Sequence, residues 1–223
     1  MINTFQVVFK ENKMKLTILS ILGLIISMPL PANANANANA NANKQLVTEG
    51  STREKQVNIQ IDKQASQYIK TYAGNLQSVL KSAIKEGGFT KGIEVCQLVA
   101  PTIANQYNQK GWTIGRTSLK LRNESNTPDN WELMQLQHFE QEKAAGADIK
   151  QLKTSSILTH DDGTKTYRFM KAIPTQQICL HCHGTQIKPT IQKQLTQLYP
   201  QDQATGFTLS DIRGAFTVMK KLN

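Results

Sequence analysis

The sequence predicts an α+β domain built on an antiparallel sheet. Three observations point there. Hydrophobic residues recur at helical spacing through residues 62–107, short alternating segments take over beyond Gly111, and these strand-like segments are mixed with further helices rather than separated from them. With 223 residues and 39% hydrophobic content the chain can bury one sizeable core, and an aromatic share of 6% argues against a large aromatic one.

The elements follow in chain order. Residues 62–85 read as a helix, because Ala65, Tyr68, Ile69, Tyr72, Leu76, Val79, Leu80, Ala83 and Ile84 lie on one stripe, and Gly87-Gly88 ends it. Thr90 opens a second helix, with Glu94 in its first turns. Ile93, Cys96, Val99, Ala100, Ile103, Ala104 and Tyr107 share one face, and Pro101 kinks it. Residues 112–121 alternate as a strand, and residues 123–129 form a polar loop containing Pro128. Asp129 caps a helix to about residue 143, with Trp131, Leu133, Met134, Leu136 and Phe139 as its apolar positions. Residues 155–160 and 164–173 flank Asp161-Asp162-Gly163, a hairpin turn. Pro189 starts a helix carrying Ile191, Leu195 and Leu198, and residues 213–219 close the chain as a last strand.

The amino terminus reads as an export signal. Lys10, Lys13 and Lys15 precede an apolar run over residues 16–28, followed by Pro29, Pro31 and an Ala32-Asn33-Ala34 cleavage site; Met14 is an alternative start. The run is shorter than the roughly 20 apolar residues a spanning helix needs. The expected organisation is a signal peptide over residues 1–34, a disordered Ala/Asn-rich tether and linker over residues 35–61, and one domain over residues 62–223. The destination is the periplasm, or a thylakoid lumen where one exists. The whole chain carries a formal charge of +10; without residues 1–43 it keeps 23 Lys and Arg against 15 Asp and Glu, about +8. That excess suits an acidic protein partner, an anionic surface or an ordinary solvated face. No basic cluster interleaved with aromatics points to nucleic acid.

The chemistry is concentrated in Cys179-Leu180-His181-Cys182-His183, directly after the second hairpin strand. Two cysteines three positions apart with a histidine after the second are the attachment signature of a c-type haem. One short turn lets each thiol form a thioether with a vinyl group of the same porphyrin, and His183 then lies under the iron. Export agrees with that chemistry. A Cys179–Cys182 disulfide is the lesser alternative, and a zinc site fails because four ligands within five residues cannot surround one tetrahedral ion. Candidates for the other side of the iron are few. His181 lies inside the attachment turn, His160 borders the hairpin turn, and Met170, Met134 and His138 have ordinary explanations in packing or solvent exposure. Cys96 is the one thiol left over, on the apolar face of its helix; by pattern alone it reads as a small buried hydrophobe.

Four segments in this order carry a resemblance. They are Val95-Cys96-Gln97-Leu98-Val99-Ala100-Pro101; residues 116–131 with Arg122-Asn123 and Asn126-Thr127-Pro128-Asp129; residues 178–184; and Tyr199-Pro200 through Asp211-Ile212-Arg213-Gly214. Together they resemble a family of bacterial exported single-haem c proteins with a PAS-like fold and largely unassigned function. The resemblance covers most of the chain from about residue 63. It implies a PAS-like antiparallel sheet with N-terminal helices packed against it, and one covalently attached haem c held between His183 and a Cys96 thiolate. Such a thiolate stabilises ferric iron and lowers the reduction potential. Arg116 and Arg122 alternate onto one side of the expected strand, where they could pair with the haem propionates or simply form a solvated face.

Two functions compete on this reading. One is a redox or diatomic-gas sensor, whose iron–sulfur bond weakens on reduction or protonation and which passes its signal to a separate redox or signalling protein, an acidic one suiting the charge. The other is a low-potential electron carrier. A peroxidase-like enzyme is the least expected, because no distal acid–base pair is visible, and no catalytic residue is assigned.

Overall fold

A computed structural model describes residues 34–222, with side-chain surroundings from residue 55 onward. The expected export signal lies outside the described residues except for Ala34. The chain divides into Met1–Glu49 and a compact unit, Gly50–Asn223. The expected disordered tether is instead helical backbone: helix α1 is continuous from Ala34 to Leu98 apart from a break at Gly87 (φ −139°, ψ 19°) and Gly88 (φ 71°, ψ −168°). Alanine is the strongest helix former and fills half of the repeat, and residues 45–61 are mostly helix-compatible Lys, Gln, Glu, Arg and Val without proline. Ile61, assigned above to the linker, is buried in the core. Among the described residues no helix is long and apolar enough to cross a membrane.

In the compact unit, Ile61, Ala65, Ile69, Tyr72 and Leu76 form a single buried stripe, as residues three and four apart must on a helix. The segment after the glycines carries Ile93 and Cys96 and ends at Leu98. Helix α2, Ala100–Tyr107, restarts after Val99. Pro101 sits at its start, where the missing N–H costs nothing but the ring forbids continuation from the preceding turn.

Four strands make one antiparallel sheet: β1 (Trp112–Thr117), β2 (Lys153–Thr159), β3 (Lys165–Pro174) and β4 (Ile212–Leu222), in the order β1-β4-β3-β2. The β2–β3 turn is the expected one. Asp162 Oδ1 accepts the Thr164 N–H at 2.9 Å, and Gly163 has φ 80°. Side chains alternate between two covered faces. Ile114, Tyr167, Phe169 and Val218 meet α1 and α2; Met170, Ala172, Ile212 and Ala215 meet Leu136 and Phe139 of helix α3, Asn130–Ala144. Helix α3 starts at the expected Asp129 through a full capping box with Glu132. Two of its expected apolar positions differ: Leu133 and Met134 are exposed, because Leu136 and Phe139 define the inward face and Met134 falls well over a right angle from it.

The expected first strand ends four residues early, at Thr117. Ser118 Oγ accepts the Lys120 N–H at 3.2 Å and donates to the Arg213 carbonyl at 2.9 Å, a local turn that replaces the ladder. Arg122 therefore does not alternate with Arg116 on a strand; it lies in the loop beyond. Two short helices complete the unit, α4 (Leu180–His183) and α5 (Pro189–Leu198), whose Ile191 and Leu195 pack on Ile93.

Helix α1 is tied to the sheet by one buried polar bond, from the Tyr167 hydroxyl to Asp62 Oδ1 at 2.7 Å. Burial, and then that carboxylate, push the Tyr167 phenol well above its ordinary value of 10.0. Its neutral form is favoured in the fold, so the stabilisation is complete below pH 10 and is lost as the pH rises above that. Tyr167→Phe is expected to cost about 1–2 kcal/mol in urea unfolding at neutral pH. The difference between variant and wild type should narrow in the same titration carried above pH 10.

Candidate functional site

The structure brings Cys96, Arg116, Arg122, Cys179, Cys182 and His183 around one cavity of about 1280 Å³, counting the space open at its mouth. It lies on the α1 face of the sheet. Leu76, Leu80, Ile84, Phe89, Ile93 and Phe216 give it apolar walls. Its mix of apolar wall and a few convergent polar groups is that of a cofactor site.

One end is the cysteine turn. A 3-10 turn, Gln177–Cys179, runs into α4, placing Cys179 one turn before the adjacent Cys182 and His183 in a tight coil. All three cysteines are free thiols, so the disulfide alternative is not realised; among the described residues no cluster of three or more His, Cys, Asp or Glu could hold a metal ion. Gly184 closes the coil. A Cβ there would lie 2.5 Å from the Leu180 carbonyl oxygen, so no other residue fits. The coil is then stitched to the segment before β4 by Gly206 N–H to Gly184 O at 3.0 Å and Phe207 N–H to His183 O at 2.9 Å.

His183 is oriented by that same segment. Its Nδ1 lies 2.7 Å from the Ala204 carbonyl oxygen, which can only accept, so Nδ1 carries the proton and Nε2 keeps its lone pair. Phe207 meets the ring edge-to-face at 6.2 Å. Burial, and then the Arg213 and Arg122 charges, hold the imidazole well below its ordinary value, so it is neutral at neutral pH. A neutral imidazole with one nitrogen bonded to a carbonyl and the other free is the arrangement of a metal ligand.

Cys96 comes from α1 beyond the glycine break. Burial pushes its thiol up, while Arg116, Arg122 and Arg213 pull toward the thiolate. Cys182 is pushed up to about 11 and Tyr199 to about 12, chiefly by burial. The remaining candidates for an axial ligand lie elsewhere. His181 stacks on Phe89 at 4.1 Å, His160 contacts Thr166 Oγ1 at 2.9 Å on the surface, and His138 faces Glu142 at 3.6 Å. Met170 is buried against α3, and Met134 is exposed.

The two expected arginines divide. Arg116 lies on β1 on the cavity face and makes no hydrogen bond or ion pair among the described residues. Arg122 is already committed: Nε and Nη2 reach Asp202 Oδ2 at 3.0 and 2.9 Å, and Nη2 also reaches the carbonyls of Cys182 at 2.6 Å and Ala204 at 3.2 Å. Only Nη1 remains, facing His183 Nε2 at 3.4 Å, so no free fork is left for a carboxylate of a ligand.

Arg213 went unassigned in the sequence reading. Ile173 pairs with Gly214 and Pro174 with Ile212, so Arg213 is the extra residue of a β-bulge, turned into the cavity instead of onto the α3 face. Its Nη1 donates to Ser118 Oγ at 3.1 Å; its Nε lies 3.2 Å from His183 Nδ1, where, with the Nδ1 proton committed to the closer Ala204 carbonyl, two donors face each other and no hydrogen bond is made. Burial, then the neighbouring Arg122 and Arg116, bring it down to about 10. The lone glycine inside a strand pattern, Gly214, was the signal that could have found the bulge. Asp202 had no such signal.

Gly214 has φ 152°, and a Cβ there would collide with the Thr117 carbonyl oxygen. Gly214→Ala is expected to lower unfolding free energy by at least about 2 kcal/mol, measured by urea titration.

No curated protein matches this chain. A crystal structure of the cyanobacterial haem protein Tll0287 is similar to it over 70% of this chain and 93% of that one, with 20% identity and a TM-score of 0.48. The family model of the Tll0287-like proteins matches residues 32–220, and by that match over most of its length the chain belongs to the Tll0287-like family.

Proposed function

We propose that this chain is an exported c-type haem protein that senses redox state or a diatomic gas through a haem iron held between His183 and Cys96. One observation carries the reading: helix α1, the attachment turn and the segment before β4 come together so that both attachment cysteines, a neutral histidine with a free Nε2 and a lone thiol line one apolar-walled cavity. Haem-protein membership of the family relative Tll0287 agrees with it. The antiparallel sheet with helices laid on the cavity face supports the PAS-like reading of the fold.

Haem would supply redox chemistry at its iron. Cys179 and Cys182 would hold the group covalently through thioethers. His183 would bind it from Nε2, and its Nδ1–H bond to Ala204 raises the basicity of the ring. Cys96 would be the thiolate ligand; the three arginines pull toward that form against its burial, the larger effect, and a metal at the sulfur would displace the proton. Four basic side chains, Arg116, Lys120, Arg122 and Arg213, line the cavity among the described residues, and no carboxylate does. Arg122 has its counter-charge in Asp202 and Lys120 is exposed, whereas Arg116 and Arg213 meet no carboxylate among the described residues, so the site suits a ligand that brings carboxylates of its own, with Arg116 the guanidinium left to take one. The location that follows is the periplasm or a thylakoid lumen, and the partner a separate redox or signalling protein.

The experiment is spectroscopy of the matured protein. Cys96→Ala is expected to change the ferric spectrum from thiolate-ligated low spin, and ferrous wild type should bind carbon monoxide with loss of the thiolate. An unchanged ferric spectrum would remove Cys96 as a ligand. A six-coordinate iron stable in both oxidation states would favour the low-potential electron carrier. Replacing Cys179 and Cys182 together by serine should leave no haem attached after denaturing electrophoresis with haem staining.

A further inference from the structure

Arg122 and Asp202 are each buried, with only 9% of either side chain exposed. They lie 80 residues apart in sequence and tie the loop after β1 to the attachment coil and to the segment before β4, the last two of which are also bridged through backbone at Gly184 and Phe207. The carboxylate uses both oxygens. Oδ2 takes the guanidinium, and Oδ1 accepts the Ala204 N–H at 2.8 Å. Beside it the Gln203 N–H donates to the Leu121 carbonyl at 2.7 Å, so the two loops are stitched through backbone as well.

The Ala204 peptide is the centre of this arrangement. Its N–H is fixed by Asp202, and its carbonyl oxygen accepts both Arg122 Nη2 and His183 Nδ1. Arg122 Nη2 also grips the Cys182 carbonyl, one residue before the histidine. The direction of the Ala204 carbonyl, and with it the nitrogen that carries the imidazole proton, is thereby set by the Arg122–Asp202 pair. The latch bonds use Nε and Nη2, whereas the nitrogen facing His183 Nε2 is Nη1. A metal at Nε2 would replace only that last contact.

We propose that Arg122 and Asp202 act as a latch that positions His183, fixing its ring rotation and its Nδ1–H tautomer through the Ala204 peptide before any ligand is bound at Nε2. This rests on the reading of His183 as the iron ligand, but the orientation itself does not require haem. Lysine at position 122 would keep the charge and lose the fork, so it should fail where a purely electrostatic role would survive.

The test uses the full-length chain in two forms, haem-free and haem-loaded. In haem-free wild type, ring-nitrogen NMR is expected to show His183 as a single Nδ1–H tautomer. In Arg122→Gln, Arg122→Lys and Asp202→Asn the ring should become a mixture, and the Gly184 and Phe207 amides should exchange roughly 10- to 100-fold faster, as expected for loss of charge-assisted bonds. In the loaded form the three variants should keep their covalent haem and show a shifted reduction potential. Wild-type tautomer and exchange in Asp202→Asn, the near-isosteric variant, would overturn the proposal even if Arg122→Gln fails to fold, and so would wild-type behaviour of Arg122→Lys. Absence of covalent haem from wild type would instead remove the haem reading, with the haem-free NMR still deciding the latch.

Discussion

Both faces of β3 and β4 are covered by helices, and this constraint orders the rest of the molecule. In a pleated strand every side chain belongs to one layer or the other, and only an irregularity in pairing can transfer one across. Tyr167 and Phe169 go to the α1 layer, and Met170 and Ala172 to the α3 layer, without remainder. The bulge at Arg213 is where that bookkeeping is broken. It keeps Ile212 and Ala215 in the α3 core while delivering a guanidinium to the opposite face, against His183. A regular strand would have had to choose between a sealed core and a charged cavity.

The cavity is correspondingly a place of concentrated positive charge in an apolar frame. Arg122 is neutralised by Asp202, Arg213 is held by the Ser118 hydroxyl and the Lys120 carbonyl beside the imidazole, and Arg116 has no partner among the described residues. Each places the same side chain differently: one braces loops, one lies against a ring and one faces the open cavity. The burial that raises the Cys96 and Cys182 thiols also lowers the histidine, and the arginine charges oppose burial at Cys96 while adding to it at His183. The imidazole is thereby held in its electron-donating form, whereas burial outweighs the arginines at Cys96 and favours the thiol.

Much of this was legible in the sequence, for reasons that can be named. The helical stripe from Ala65 to Leu76, the Asp129 cap, the Asp-Asp-Gly turn and the CxxCH coil are local patterns, written in residues a few positions apart. The early end of β1 was hidden because Thr117–Leu121 still alternates, and the competing hydrogen bonds of Ser118 come from a strand about a hundred residues away. The helical start of α1 was obscured because an Ala-Asn repeat looks like low complexity while half of it is the best helix former. Asp202 and Ala204 were invisible for a different reason. Their roles arise wholly from long-range closure of loops, and nothing in their own neighbourhood marks them.

The Gly87-Gly88 break and the second break at Val99 have a joint mechanical meaning. Between them lies a rod of about ten residues that carries Cys96 on one side and ends in the exposed Leu98 and Val99. The limb before the first joint is anchored to the sheet by the core stripe and by the Tyr167–Asp62 bond, and helix α2 after the second joint is anchored by Ile103. The rod itself is seated through Ile93 on Ile191 and Leu195, and the Gln97 amide donates to the Leu198 carbonyl at 3.3 Å, so the place of the Cys96 sulfur is set by α5 as well as by the two limbs.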